Sequence, residues 1–230
     1  NNRAGGNVAN GIQSTLIRNA TMSGGTKKDM AVMELDELSF RKVLPYLTPD
    51  IILVTNLYRD SFSRNANPDF IFNVMSHYVS PKTKLVLNAD DLISCRLAPQ
   101  DANRVYYSIG RLADDTTEPQ GIVCDLTACP VCGGKLEYDY CHLRHLGHAT
   151  CKSCGFTNPE PDYELTALDR EAHTFTVCER SHEGAPTHTY RYGNYSITNL
   201  YNLFSTVVVA RELGLSAEAI GASLERGINV

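Results

Sequence analysis

"DIILVTNL" (Asp50–Leu57) runs apolar at consecutive positions, without the alternation that a half-solvated strand shows. Such a run fits a strand buried on both faces, the situation of parallel strands whose crossover helices cover the sheet above and below. The segments around it agree. "LSFRKVLPYL" before it reads as a helix, and "NPDFIFNVMSHYV" after it as another, with Pro68 near its start. "TKLVLNADD" is a further strand, "DLISCRLA" a short helix, and "NRVYYSIG" a strand ended by Gly110. Upstream, "NVANGIQSTLIRNA" has apolar residues at helical spacing, and "DMAVMELDE" reads as a strand closing on acids. Strands and helices alternating over short joints imply right-handed crossovers and a mostly parallel sheet with flanking helices, an α/β fold.

After Gly110 the pattern changes. "RLADDTTEPQG" is polar and broken by Pro and Gly, a linker or exposed loop. A cysteine-rich segment follows. Then "YELTALDREAHTFTVCER" and "THTYRYG" have strand character around a turn at "SHEGAPT". "SITNLYNLFSTVVVARELG" and "SAEAIGASLERG" read as helices, with Thr198 and Ser216 as N-caps and Gly214 and Gly227 as C-terminal stops. The expected division is one α/β domain built from residues 1–124 and 163–230, interrupted by a small insertion at 125–162.

A chain of 230 residues has room for such a domain and a small module. Its net charge of −5 argues against a general polyanion-binding surface, so no nucleic-acid partner is expected. No apolar run approaches the length of a membrane span, so an integral membrane protein is not expected either. The opening "NNRAGGNVANG" is polar, lacks an initiator Met and carries no signal peptide, which reads as a processed chain or a piece of a longer one.

Five of the eight cysteines crowd into residues 129–154. Cys129-x-x-Cys132 and Cys151-x-x-Cys154 are separated by 18 residues, the spacing of a four-Cys zinc ribbon. Each Cys-x-x-Cys knuckle sets two thiolates on one tetrahedral edge, and Gly133 and Gly155 supply the left-handed turn behind it. A closed four-sulfur shell leaves no open position, so the expected zinc is structural and not catalytic. A metal site in a reducing cytoplasm is the better reading than disulfides, because no export signal is seen. His142, His145 and His148 are expected to lie on the hairpin between the knuckles, and Cys95, Cys124 and Cys178 to be small buried residues.

Acids and amides gather at the ends of three strands: Glu34, Asp36 and Glu37 in "MELDE", Asn56, Arg59 and Asp60 in "VTNLYRD", and Asn88, Asp90 and Asp91 in "LNADD". At the carboxyl ends of parallel strands such groups face the crevice where ligands bind, and carboxylates there suit Mg²⁺ and phosphate. The plainer alternatives are acids at a helix N-terminus for "MELDE" and a helix cap for Asp91.

Taken in order, "NNRAGGNVANGI", "VMELDE", "VTNLYRD", "LNADD", "YYSIG" and the downstream "ITNLYNL" resemble the central ATP-binding domain of the Mur ligases, which build peptidoglycan precursors. The resemblance covers nearly the whole chain. The four-Cys ribbon between "YYSIG" and the Asn-x-x-Asn helix narrows it to the branch that amidates lipid II, the isoglutaminyl synthases.

The resemblance implies that Glu34 stands near Mg²⁺ and the ATP phosphates with Glu37 beside it, that Asn199 and Asn202 lie on the adenine side, and that Asn2, Arg3 and Asn7 face nucleotide and acceptor substrate. It implies a reaction in which ATP activates the α-carboxyl of D-glutamate in the lipid II stem peptide and ammonia from a GatD-type glutaminase subunit gives D-isoglutamine, in the bacterial cytoplasm at the inner face of the membrane. It also implies a Gly-rich phosphate loop upstream of Asn1 and a further domain after Val230. Two features depart from the wider family: Ser61 stands where many members have a metal-binding His, and Arg64–Pro81 holds no Lys to be carbamylated. A Mur or folylpolyglutamate-type ligase domain that adds an amino acid, and a non-catalytic zinc-ribbon interaction module, stay open beside this reading.

Overall fold

Leu85 and Leu87 are buried on one side of a central strand and Val86 on the other, so that strand has no solvent face. The computed structural model describes residues 2, 6–57, 68–97, 102–119, 126, 128–143, 146–192 and 197–226. In chain order its elements are α1 (Ala9–Asn19), α2 (Phe40–Val43), β1 (Ile51–Val54), α3 (Pro68–Tyr78), β2 (Lys84–Asn88), β3 (Arg104–Ile109), β4 (Leu136–Leu143), β5 (Leu146–Cys151), β6 (Tyr163–Asp169), β7 (Thr174–Glu179), β8 (Thr187–Arg191), α4 (Ile197–Glu212) and α5 (Ala217–Glu225).

Six strands form one sheet in the order β1-β2-β3-β6-β7-β8. The first four run parallel, as the continuous apolar strands require, with Ile52 opposite Leu85, Val86 opposite Val105 and Tyr107 opposite Tyr163. β7 and β8 extend it as an antiparallel meander, where alternation returns: Phe175 and Val177 are buried and their neighbours half-exposed. One face of the sheet packs on α2 and α3 through Phe40, Ile71 and Met75. The other packs on α4 and α5 through Tyr201, Phe204, Val208 and Ile220. β4 and β5 form a separate antiparallel hairpin whose Leu136 and Ala149 enter the first core and Leu146 the second.

Three local expectations are corrected. Residues 30–36 form no strand: they are irregular, with Met30 60% and Val32 66% exposed. An apolar run makes a strand only where a neighbour takes up its backbone groups, and among the described residues none pairs with this one. Thr198 is not an N-cap, because α4 already begins at Ile197. "DLISCRLA" gives only a 3₁₀ turn at Ser94–Arg96. Ser216 does cap α5, its hydroxyl accepting from Ala219 N at 3.2 Å, and Gly214 ends α4 at φ +84°.

Candidate functional site

The four cysteines converge. The Sγ atoms of Cys129, Cys132, Cys151 and Cys154 all lie within 4.8 Å of one another, with Cys129–Cys154 at 3.7 Å and Cys132–Cys151 at 3.5 Å. Thiolates about 2.3 Å from a zinc ion at tetrahedral angles would stand about 3.8 Å apart, so the spacing fits such an ion. The two knuckles share one hydrogen-bond pattern. Cys129 N donates to Gly134 O and Cys151 N to Phe156 O, while Gly133 N and Gly155 N return to the carbonyls of Cys129 and Cys151. Gly133 and Gly155 sit at φ +73° and +74°, where a side chain would be strained. Backbone N–H groups also point at sulfur, Val131 N at Cys129 and Gly134 N at Cys132, each at 3.4 Å. Burial opposes ionisation of Cys151, but the N–H groups of Cys154 and Ser153, together with hydrogen bonds from the Cys132 and Cys154 thiols, outweigh it and hold the thiol below its ordinary range. Cys129 and Cys151 face the core, and Cys132 and Cys154 face solvent.

The hairpin is bound to the sheet by polar as well as apolar contacts. The Asn158 amide donates to Ala89 O and Gly147 O and accepts from Ala149 N. His142 and His148, expected on the connecting hairpin, are on its strands. The His142 imidazole has no exposed surface and lies 2.6 Å from Asp115 Oδ1 and 2.9 Å from Ile109 O. His148 pairs with Asp139 at 2.6 Å. His145 lies outside the described residues.

The strand-tip groups of β2 turn inward, a correction to their reading as crevice ligands. Asp90 is 2% exposed, and its Oδ2 accepts from Ile109 N and from the Tyr201 hydroxyl, each at 2.7 Å. Burial pushes its carboxyl up to about 6, against the opposing pull of His142, the Ile109 N–H, Tyr201 and His148. Asp91 is fully buried, its side chain accepting from Leu57 N and from Ile93 N; it ties two loops together and is no helix cap, since the 3₁₀ turn at Ser94–Arg96 has no side-chain cap. Asn88 bonds Thr55 O and Asp90 N. A run of Asn and Asp after an apolar strand reads alike whether it faces a crevice or ties adjacent strand ends together. Tyr201, Asp115 and Asn158 were missed, since nothing in their local patterns marks them.

The carboxylates of "MELDE" are better placed for a ligand. Glu34 is exposed, and its backbone is held by the Asn2 side chain, which accepts from Glu34 N at 2.9 Å and donates to Glu34 O at 2.6 Å and Gly6 O at 2.7 Å. Asn7 O accepts from Asp36 N at 2.8 Å, and Asp36 caps Leu38 N, starting the turn that contains Glu37. A Cβ at Gly11 would collide with the Gly6 carbonyl, so α1 packs closely on this loop. Asn2, Asn7, Glu34 and Glu37 thus come together, although the strand expected to carry the acids is absent. Asn199 and Asn202 are exposed in the first turns of α4, opposite the buried Leu200, Tyr201 and Leu203. Arg3, Arg59, Asp60, Ser61, Cys124 and Gly227 lie outside the described residues. Cys95 is buried as expected, whereas Cys178 is half-exposed.

No family model matches the chain. Among curated proteins it is 33% identical over 225 residues to the MurT subunit of lipid II isoglutaminyl synthase of Staphylococcus aureus strain COL, covering 97% of this chain and 48% of that protein. It is 28% identical over 234 residues to the MurT subunit of Streptococcus pneumoniae strain R6, covering 98% and 49%. Among solved structures it resembles a pseudomurein peptide ligase type C from Methanothermus fervidus, with a TM-score of 0.64 and 24% identity over 80% of this chain and 35% of that one. It also resembles MurF from Acinetobacter baumannii, with a TM-score of 0.60 and 14% identity over 100% of this chain and 40% of that one. The chain spans about half the length of the curated relatives it matches. In sequence the chain is similar to one half of the MurT subunits, and in fold it resembles the Mur ligases.

Proposed function

We propose that this chain is the ATP-binding part of an amide ligase of peptidoglycan synthesis, one that converts D-glutamate in the lipid II stem peptide to D-isoglutamine. The observation that carries the reading is the match to MurT subunits across 97% of the chain. The chemistry begins with a carboxylate, a poor electrophile. Its oxygen attacks the γ-phosphorus of ATP and ADP leaves. Ammonia then attacks the acyl carbon, phosphate departs, and the amide remains. Mg²⁺ would neutralise charge on the transferring phosphoryl group. Glu34 and Glu37 are the acids proposed to serve it, and the clasp of Asn2 on the Glu34 backbone fixes that carboxylate's root while leaving the group free. Asn199 and Asn202 are proposed to contact the nucleotide, and Asn7 and Arg3 the substrate side.

The ammonia source would be a GatD-type glutaminase partner, and the reaction would take place on the cytoplasmic side, where lipid II presents its peptide. Among the described residues no helix is long and apolar enough to cross a membrane. Cys129, Cys132, Cys151 and Cys154 would hold one structural zinc ion, whose binding adds folding free energy and offers no open site for chemistry.

The test is Glu34→Ala in the full-length protein assembled with its glutaminase. ATP-dependent amidation should disappear while the melting transition stays in place. Full activity would remove Glu34 from the site.

A further inference from the structure

The backbone of Ile109, at the end of β3, is gripped at both its carbonyl and its N–H. Its carbonyl faces His142 Nε2 at 2.9 Å, and because a carbonyl can only accept, that nitrogen carries a hydrogen. His142 Nδ1 lies 2.6 Å from Asp115 Oδ1, so a proton is shared there too, and Asp115 Oδ2 is fixed by Leu112 N at 2.6 Å. Asp115 belongs to a segment stitched to β4 by the backbone pair of Thr116 and Cys141, at 2.7 and 3.3 Å. Both side chains are closed to solvent, His142 at 0% and Asp115 at 3%.

On its other side, Ile109 N donates to Asp90 Oδ2, the same oxygen that accepts the Tyr201 hydroxyl. Tyr201 sits in the early turns of α4 beside Asn202, and its ring meets that of His142 at a centroid distance of 6.1 Å. A fixed polar path therefore runs from the cysteine hairpin through His142, Ile109 and Asp90 to the head of α4. Apolar packing alone would attach the hairpin to the sheet. Buried, fully partnered polar groups do something else: they specify one arrangement, because any shift leaves a desolvated group without a partner.

We infer that the buried His142–Asp115 pair is a positioning element, by which the four-cysteine hairpin sets the placement of the first turns of α4 and hence of Asn199 and Asn202. The functional half of this rests on the nucleotide role proposed above for those asparagines. The structural half does not.

The experiment uses the full-length protein with its partner subunit and reads three quantities: zinc content, hydrogen exchange over residues 197–205, and KM for ATP separately from kcat. His142→Leu should keep one zinc per chain yet speed exchange at the head of α4 by about tenfold, the scale of one charge-assisted hydrogen bond. KM for ATP should rise several-fold with little change in kcat. Tyr201→Phe should do the same from the other end of the path, and His142→Gln, which restores a donor toward Ile109 O, should recover part of the effect. Unchanged exchange at α4 in a folded, zinc-loaded His142→Leu protein overturns the inference. If that variant does not fold, Asp115→Asn and Tyr201→Phe decide by the same readout, and unchanged exchange in both is equally fatal. A wild-type protein that fails to bind ATP would defeat the proposed function, while the exchange result would still decide the positioning role.

Discussion

Asn158 donates to Ala89 O at 2.6 Å, and through that bond the cysteine hairpin is held against the end of β2. The same amide donates to Gly147 O at 2.9 Å and accepts from Ala149 N at 2.8 Å, so one side chain satisfies three backbone groups of a site only 8% exposed. Asn158→Leu should remove all three bonds and leave those groups buried and unpaired. The expected loss is roughly 3–5 kcal/mol, from about 1–3 per orphaned group less some relaxation. Denaturant unfolding would measure it, and a change below about 1 kcal/mol would show that the amide is dispensable.

Asp90 gives the fold a predictable response to pH. Burial raises its carboxyl from 3.8 to about 6, so between those values the native state holds a proton that the unfolded state has released. Stability from this group is therefore present below about pH 4 and lost as pH rises to about 6, a change on the order of 3 kcal/mol. Asp90→Asn keeps an acceptor for Ile109 N and Tyr201 but cannot ionise. Its stability should be flatter than that of the parent between pH 4 and 6, and the gap between the two proteins should move in the variant's favour as pH rises. A difference independent of pH would count against this account.

The parallel strands were readable because residues buried on two faces leave an unbroken apolar run, as in Leu85–Leu87; Ile51–Val54 reads the same in sequence, although β1 is the edge strand and its Leu53 is exposed. The knuckles were readable because Cys-x-x-Cys-Gly encodes its own turn. Residues 30–36 misled because an apolar run reports what could be buried, not whether a partner strand exists. Asp90 and Asp91 misled for a related reason: sequence shows that a carboxylate ends a strand, whereas its partners, Ile109, Tyr201 and Leu57, are 19, 111 and 34 residues away. Asn2 and Glu34 were singled out separately, and only the fold reveals that one holds the other's backbone across 32 residues.

A further buried carboxylate, Glu179, is 1% exposed and accepts on both oxygens from Arg211, Nε to Oε1 at 2.5 Å and Nη2 to Oε2 at 3.0 Å. His182 and His188 stand 3.7 Å from it. Removing the guanidinium would leave a desolvated anion, so Arg211→Ala should destabilise by roughly 3–5 kcal/mol. Arg211→Lys should recover only part, since an ammonium cannot reproduce the fork. In the double variant Arg211→Met with Glu179→Leu most of the loss should return. A double variant as unstable as Arg211→Ala would mean that the pair contributes more than mutual neutralisation.

The cysteine shell is asymmetric, and its asymmetry can be tested. Cys129 and Cys151, 3% and 1% exposed, belong to the core that also contains Leu136, Ala149 and Met75, whereas Cys132 and Cys154 stand in solvent. Each of the four Cys→Ser changes should lower bound zinc from one per chain toward zero, because three thiolates do not close the shell. Their effects on folding should differ. Cys132→Ser and Cys154→Ser place a hydroxyl in water, and their loss should be confined to hydrogen exchange of the hairpin, residues 128–158. Cys151→Ser adds a buried hydroxyl to an apolar core at a further ~1–3 kcal/mol, so faster exchange should spread to β2 and α3. Undiminished zinc in Cys151→Ser would overturn the four-sulfur assignment. Equal, hairpin-only effects from all four substitutions would show that the inner thiols are metal ligands alone and not part of the core.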